Sequence, residues 1–129
     1  MNGGEVFNFS IKTEPKAIED ILYYSGKSLE DVNYVFFHQA NQYIISNIAR
    51  RLKLPKEKVP SDIVSLYGNQ SSASIPCAIS HTLGAGEGKF DTEQYSILSG
   101  FGVGLSWASA ALSLRGAYIS DVLILSEEK

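Results

Sequence analysis

Three short segments, each placed after an apolar run, hold the residues of this sequence that are best suited to chemistry. They are HQAN at 38–41, GNQSS at 68–72 and GFGVG at 100–104. In open α/β sheets, ligand sites gather at strand ends, where loops carry functional groups beyond a rigid sheet. We therefore expect the three segments to follow neighbouring strands and to form one site.

Within these segments, His38 and Asn69 are the candidate hydrogen-bond donors. His38 follows the apolar run YVFF at 34–37, and its ring can give or take a proton near neutral pH. Asn69 follows Gly68, and its amide can donate to an oxygen atom. Each residue also has a structural interpretation. His38 suits a core-edge histidine bonded to a backbone carbonyl, and Asn69 suits a turn residue that tolerates left-handed backbone.

The glycine-rich segment GFGVG at 100–104 does not fit a nucleotide-binding site. It lacks the spacing of a dinucleotide fingerprint, and no phosphate-binding lysine follows it. A tight turn is the structural alternative to a ligand cradle.

A hydrolase that uses His38 with Ser71 or Ser72 is disfavoured, because the sequence offers neither an orienting carboxylate nor a nucleophile elbow.

Composition indicates one globular domain and excludes several partners. The chain has 129 residues, of which 44% are hydrophobic and 19% charged, and its net charge of -3 disfavours nucleic-acid binding. No apolar run approaches the ~20 residues of a membrane span. One cysteine and two histidines cannot close a zinc site, so no metal is expected. The N-terminus is neither a secretory signal nor a transit peptide, and a cytoplasmic location is expected.

The order of elements that supports these segments is read from hydrophobic periodicity. Strands are predicted over 5–11, 34–37, 63–66, 95–99 and 105–114. Helices are predicted from Thr13 to Gly26, from Asn41 to Pro55 and from Ile75 to Leu83. A loop is predicted over 84–88, and 117–125 has room for a further short strand. This alternation predicts an α/β fold in which helices cover a mixed, mostly buried sheet.

Together the three segments resemble one known family. HQAN at 38–41, GNQSSASIP at 68–76 and GFGVGLSW at 100–107 are similar, in this order, to the β-ketoacyl-acyl-carrier-protein synthase III family of the thiolase superfamily. The opening MNGGEVFNF at 1–9 resembles the strand that begins the C-terminal half of that family.

The resemblance implies a domain division and a cysteine on another domain. Residues 1–115 would be a C-terminal thiolase-like domain, and 116–129 an extension with room for a short edge strand. The family's nucleophilic cysteine lies in an N-terminal half that this sequence does not contain. Cys77 is expected to be a buried packing residue, so the chain alone is expected to be inactive in condensation.

The implied reaction is a decarboxylative Claisen condensation in fatty-acid or related acyl biosynthesis. An acyl group from acyl-CoA is joined to malonyl-acyl carrier protein, and no cofactor is required. The resemblance implies that His38 and Asn69 stabilise the malonyl enolate. It also implies that the backbone N–H of Val103 helps form the oxyanion hole for the acyl-cysteine carbonyl. Substrate-pocket candidates are Phe101, Gly102 and Gly104.

The implied partners are acyl carrier protein, CoA thioesters, the protein's own N-terminal half and a second copy in a homodimer. Many family members carry a basic residue where this chain has Tyr43. Arg50, Arg51 and Lys53 are the candidates to dock the acidic carrier protein in its place, although a solvated polar helix face is the alternative. A non-catalytic thiolase-like module that pairs with another chain is the alternative function.

Overall fold

Four helices and three strands make up the fold of the described residues. The computed structural model describes residues 2–84 and 90–126. The elements are α1 (Gly3–Ser25), β1 (Tyr34–Phe37), α2 (Gln42–Arg51), α3 (Ile63–Tyr67), α4 (Ser74–Leu83), β2 (Tyr95–Gly102) and β3 (Ser106–Ser113). Single 3-10 turns at Lys56–Lys58 and Ser71–Ala73 precede α3 and α4 respectively.

The strands form one mixed sheet in the order β1-β2-β3. β1 runs parallel to β2, with Val35 opposite Ile97, and β2 runs antiparallel to β3. Parallel neighbours require a crossover, and here the chain between β1 and β2 supplies α2, α3 and α4. The mixed sheet with its helices confirms the predicted α/β fold class.

Both faces of β1 are buried, which explains its continuous apolar run. Val35 and Phe37 join the larger hydrophobic cluster, which includes residues of α1 and α2. Phe36 points to the other face and packs with Ile63 and Ala78. Each of these three β1 side chains is fully buried. Burial of such a side chain contributes roughly 1.5–3 kcal/mol, so this short strand is a central part of the core.

The predicted strand over 5–11 is wrong, because these residues belong to α1, and the resemblance of the opening at 1–9 to a family strand fails with it. Asn2 caps the helix by accepting a hydrogen bond from the Gly4 N–H at 3.1 Å. The sequence predicts Pro15 at the start of the helix, whereas the structure has Pro15 inside it. The predicted stop is confirmed, since Gly26 adopts the left-handed conformation at φ 65°.

Polar residues in the buried stripe of α1 explain the wrong prediction. The stripe has the four-residue spacing of one helix face and consists of Ser10, Glu14, Ile18 and Leu22. The first two positions are polar, so the apolar period is visible only in the second half of the helix. In the first half, the apolar residues Phe7, Phe9 and Ile11 alternate by two and mimic a strand.

The predicted strand over 63–66 is also wrong, because this segment forms α3. Ile63 is buried against the core, whereas Leu66 is 57% exposed. A short apolar run does not distinguish a strand from a helical turn by periodicity alone. The helix ends where the Gly68 N–H donates to the Val64 carbonyl at 2.9 Å.

The C-terminal part confirms β2 and β3 but not the further strand in the extension. Over 116–126 the chain forms one isolated bridge, at Tyr118, and no strand, and 127–129 lie outside the described residues. This segment packs against the end of α4, where a Cβ on Gly84 would collide with the Ser120 carbonyl. Of the predicted loop at 84–88, only Gly84 lies within the described residues.

The described part of the chain shows neither a membrane-spanning helix nor a cluster of metal ligands. None of the helices within 2–84 and 90–126 is both long and apolar enough to cross a membrane. Over the same ranges, no three His, Cys, Asp or Glu side chains lie close enough together to hold a metal ion.

A buried carboxyl group connects α1 to the sheet. Glu14 has no exposed surface, and the Ser99 hydroxyl donates to its Oε2 at 2.5 Å. Ser99 Oγ in turn lies 2.8 Å from Ser109 Oγ on β3. Burial raises the pKa of Glu14 from 4.5 to about 7, and the hydrogen bond from Ser99 opposes only part of the rise. Below about pH 7 the folded chain therefore favours the protonated acid.

This raised pKa predicts a pH-dependent stability that Glu14→Gln removes. The folded state binds the proton more tightly than the unfolded state, so the free energy of unfolding falls as pH rises from 4.5 to about 7. The fall is up to about 3 kcal/mol for a shift of this size. Urea unfolding at about pH 5 and about pH 8 should show the fall in the wild type and not in Glu14→Gln. Glu19→Gln, an exposed position on the same helix, should retain it. A Glu14→Gln profile equal to that of the wild type would contradict the assignment.

Candidate active site at the ends of β1 and β2

His38 is the first residue after β1, and its position is set from several sides. Its backbone N–H donates to the Ser99 carbonyl at 2.9 Å, which continues the pairing with β2. Its ring Nδ1 lies 2.6 Å from Ser74 Oγ, and its ring meets Phe101 edge-on with 5.5 Å between centroids. The ring is therefore held between α4 and β2 at the sheet edge.

The other polar residues of HQAN support this position. The Gln39 side chain is fully buried, and its Nε2 donates to the carbonyls of Phe37 and Pro60 at 3.0 and 3.1 Å. Asn41 caps α2, because its Oδ1 accepts from the Ile44 N–H at 2.8 Å. In this motif His38 lines the cavity, Gln39 joins two backbone segments through buried hydrogen bonds, and Asn41 caps α2.

Asn69 is exposed and lies in a tight turn before α4. Its Oδ1 accepts a hydrogen bond from the Ser71 N–H at 2.9 Å, as in an Asx turn. Gly68 before it has φ 73°, and Ser71 after it has φ 54°. The prediction of left-handed backbone at Asn69 is wrong, because the left-handed residues are Gly68 and Ser71 on either side, but the side-chain carbonyl of Asn69 does close a local turn. The amide nitrogen makes no hydrogen bond within the described ranges, so it remains available as a donor.

A cavity of about 830 Å³ brings the predicted residues together. Its lining includes His38, Asn69, Phe101, Gly102 and Val103. The expectation that all three segments follow neighbouring strands is only partly correct, because GNQSS follows α3 rather than a strand. Residues from all three segments do line this one cavity, as expected for a shared site.

The remaining predicted residues lie elsewhere. Gly104 is not among the lining residues and occupies the β2–β3 turn with φ 134°. Arg50, Arg51 and Lys53 lie at and just beyond the end of α2 and are exposed. Arg50 and Lys56 line a second, smaller cavity of about 440 Å³. Cys77 is partly buried on α4 and packs against the smaller hydrophobic cluster.

Several lining residues were not singled out from the sequence, among them Ser74 and Trp107. Ser74 is fully buried and contacts His38, and Trp107 forms part of the wall on β3 and meets Phe9 edge-on at 5.5 Å. Both lie within the segments GNQSSASIP and GFGVGLSW. The signal was therefore present, but only the fold shows which of their side chains face the cavity.

The protonation state of His38 suits a neutral hydrogen-bond donor. Burial lowers the pKa of His38 from 6.5, and a hydrogen bond with the backbone of Ser71 opposes part of the change. A neutral imidazole has one N–H donor and one acceptor nitrogen. Together with the amide nitrogen of Asn69, the cavity can present two uncharged donors to an oxygen atom on which negative charge develops.

The fold and this site define a thiolase-like α/β domain. The chain superposes on 3-oxoacyl-(acyl-carrier protein) synthase from Burkholderia xenovorans LB400 with a TM-score of 0.85 and 38% identity, covering 94% of this chain and 34% of that one. For 3-oxoacyl-(acyl carrier protein) synthase III from Pseudomonas aeruginosa PAO1, the TM-score is 0.81 at 33% identity, over 91% of this chain and 36% of the other.

The sequence profile of one family, described as 3-oxoacyl-[acyl-carrier-protein] synthase III C terminal, matches residues 22–114. The chain belongs to this family. A relative from Acaryochloris marina, a β-ketoacyl-[acyl-carrier-protein] synthase III, is 44% identical over 85% of this chain and 32% of its own length. The chain thus spans about a third of the length of the relatives that it matches.

The contact with Phe101 predicts how the pKa of His38 responds to mutation. Phe101→Leu shortens the side chain beside the ring and admits water, so the pKa of His38 should rise toward 6.5. An NMR titration of the histidine ring resonances measures the change. Leu105→Ala, in the same hairpin but outside the cavity lining, should leave the pKa of His38 unchanged. A pKa of His38 that is equal in wild type and Phe101→Leu would show that Phe101 does not shield the ring.

Proposed function

We propose that this chain provides the decarboxylation site of a β-ketoacyl-acyl-carrier-protein synthase III-type condensing enzyme. One observation carries the proposal: His38 and Asn69, 31 positions apart in the sequence, line one cavity together with Phe101, Gly102 and Val103. Membership of the family supports it. The nucleophilic cysteine of the complete enzyme would lie outside this sequence, so the chain alone would not condense substrates.

The proposed chemistry requires a site that stabilises an enolate. When the malonyl thioester loses carbon dioxide, the electron pair of the broken carbon–carbon bond passes to the thioester oxygen. The ring N–H of His38 and the amide N–H of Asn69 would donate to that oxygen. Neutral donors that are already in place stabilise such a charge without reorganisation, and each is worth roughly 3–4 kcal/mol of barrier. The carbanion then attacks the acyl thioester, whose cysteine thiolate leaves.

The β2–β3 turn would accommodate the acyl group. The backbone N–H of Val103 is the proposed oxyanion donor for the acyl-cysteine carbonyl, and its side chain, 81% exposed, would be incidental. A Cβ on Gly102 would meet no atom within 4 Å. The fold therefore does not require a glycine there, and the open space beside Gly102 suits substrate. Gly104 would contribute only the turn conformation.

The proposed substrates are an acyl-CoA and malonyl-acyl carrier protein, with no cofactor. Arg50, Arg51 and Lys53 would present positive charge to the acidic carrier protein. Tyr43 cannot do so by charge, and its ring stacks on Phe7 at 5.5 Å. The complete enzyme would pair this domain with its own N-terminal half, form a homodimer and act in the cytoplasm.

Removing either donor tests this function in the complete enzyme. In His38→Ala and Asn69→Ala, malonyl decarboxylation should fall about 100- to 1000-fold, while acyl transfer from acyl-CoA to the cysteine continues. Release of labelled carbon dioxide and acylation followed by mass spectrometry measure the two steps. His81→Ala, a histidine of α4 that does not line the cavity, is the matched control and should retain both. Decarboxylation that persists in both variants would contradict the roles. A folded wild-type enzyme without decarboxylation would favour the non-catalytic binding module.

The open space at Gly102 gives a second test. Gly102→Ala adds a methyl group that touches no protein atom, so the melting temperature should change little. The same methyl group would occupy the proposed acyl site, and kcat/KM for acyl-CoA should fall. Thermal unfolding and steady-state kinetics on one preparation measure both. An unchanged kcat/KM would remove Gly102 from the substrate pocket.

A further inference from the structure

Ser74 contacts the proposed decarboxylation histidine from inside the protein. It is the first residue of α4, and its side chain has no exposed surface. Its Oγ lies 2.6 Å from His38 Nδ1 and accepts a hydrogen bond from the Gln39 N–H at 3.3 Å. One buried hydroxyl thus joins the histidine ring to the backbone that immediately follows it.

The proton count at this hydroxyl distinguishes the two neutral forms of His38. A serine hydroxyl has one proton to donate and two lone pairs that accept. The Gln39 N–H uses one lone pair, so the hydroxyl proton is free to point at Nδ1. If Nδ1 carried the ring proton instead, both neighbours would donate to Oγ. The buried hydroxyl proton would then have no acceptor among the hydrogen bonds of the described residues.

The surrounding contacts keep this arrangement rigid. The His38 backbone is bonded to Ser99 of β2, and its ring lies edge-on to Phe101. Ser74 is held by α4, which packs Ala78 against Phe36 of β1. Ser74 contacts Nδ1 from the α4 side, the backbone of Ser71 is a second hydrogen-bonding neighbour of the ring, and His38 lines the cavity.

We propose that Ser74 is a positioning residue, whose hydroxyl donates to His38 Nδ1, keeps the ring proton on Nε2 and aims that N–H at the malonyl thioester oxygen. The last part of this inference rests on the proposed function. The tautomer and its dependence on Ser74 do not. The lowered pKa of His38 agrees with a neutral ring that accepts at Nδ1.

Nitrogen NMR of the complete protein tests the tautomer directly. With ¹⁵N-labelled histidine at a pH above the pKa of His38, the wild type should show a protonated Nε2 and an unprotonated Nδ1. In Ser74→Ala, a second population with the proton on Nδ1 should appear. A wild type protonated at Nδ1, with the nearby Ser71 backbone as acceptor, would overturn the proposal. A Ser74→Ala spectrum that retains only the Nε2–H form would also overturn it.

Kinetics test what the tautomer does. Ser74→Ala should lower kcat for malonyl decarboxylation about 10- to 100-fold, with KM changed less than about twofold, because an orienting partner is lost rather than a binding contact. Ser74→Thr retains the hydroxyl and should recover most of kcat. Ser80→Ala, on the same helix and outside the cavity lining, should keep the wild-type rate. Loss of kcat in Ser74→Thr equal to that in Ser74→Ala, with both variants folded by circular dichroism, would overturn the role.

The measurements distinguish a failure of the proposed function from a failure of the proposed role of Ser74. If the wild type does not decarboxylate malonyl thioesters, the proposed function fails, and the NMR result still decides whether Ser74 sets the tautomer. If Ser74→Ala does not fold, the wild-type spectrum alone decides, since protonation at Nδ1 excludes donation from Ser74.

Discussion

The site depends on the parallel pairing of β1 with β2. The register places Phe37 opposite Ser99, and the pairing continues through the hydrogen bond from His38 to the Ser99 carbonyl. This places the end of β1 beside Phe101, although the two segments are more than 60 residues apart in the sequence. Because Val35 and Phe37 pack in one cluster and Phe36 in the other, a slip of one residue would exchange the two faces and disrupt both sets of contacts. The register is therefore strongly specified, and the position of His38 with it.

Polar groups inside the core surround this pairing. Glu14 and Ser99 join α1 to β2, Gln39 joins the end of β1 to the loop before α3, and Ser74 joins α4 to His38. A buried polar group costs free energy unless it is hydrogen-bonded, and each of these has at least one partner. Within the described residues, Oε1 of Glu14 and Oε1 of Gln39 have none. These two unpaired oxygens reduce the net stability gained from the buried polar groups.

The cavity combines this rigid inner side with an open outer side. His38 and Ser74 lie on elements packed into the core, whereas Val103 and Trp107 at the β2–β3 hairpin are 81% and 52% exposed. Asn69 is exposed as well, and its conformation comes from local turn geometry rather than from burial. The two candidate donors are therefore positioned by different means: His38 by tertiary contacts, and Asn69 by its own Asx turn.

The sequence alone determined the α/β class, the elements β1, α2, α4, β2 and β3, and the two residues suited to donate hydrogen bonds. These follow from local patterns, namely apolar runs, helical periods and turn residues. The failures at 5–11 and 63–66 have the same origin. Polarity along α1 hides a buried stripe that contains Ser10 and Glu14, and the apolar run of α3 is too short to show a period.

Only the tertiary structure decided which polar side chains are buried and what they contact. Glu14 and Ser99 are 85 positions apart, and His38 and Ser74 are 36 apart. No local period encodes such pairs, because they form only when helices pack against a sheet in one register. The same packing withdraws water from Glu14 and from His38 and thereby moves their pKa values in opposite directions, since burial disfavours the charged form of each.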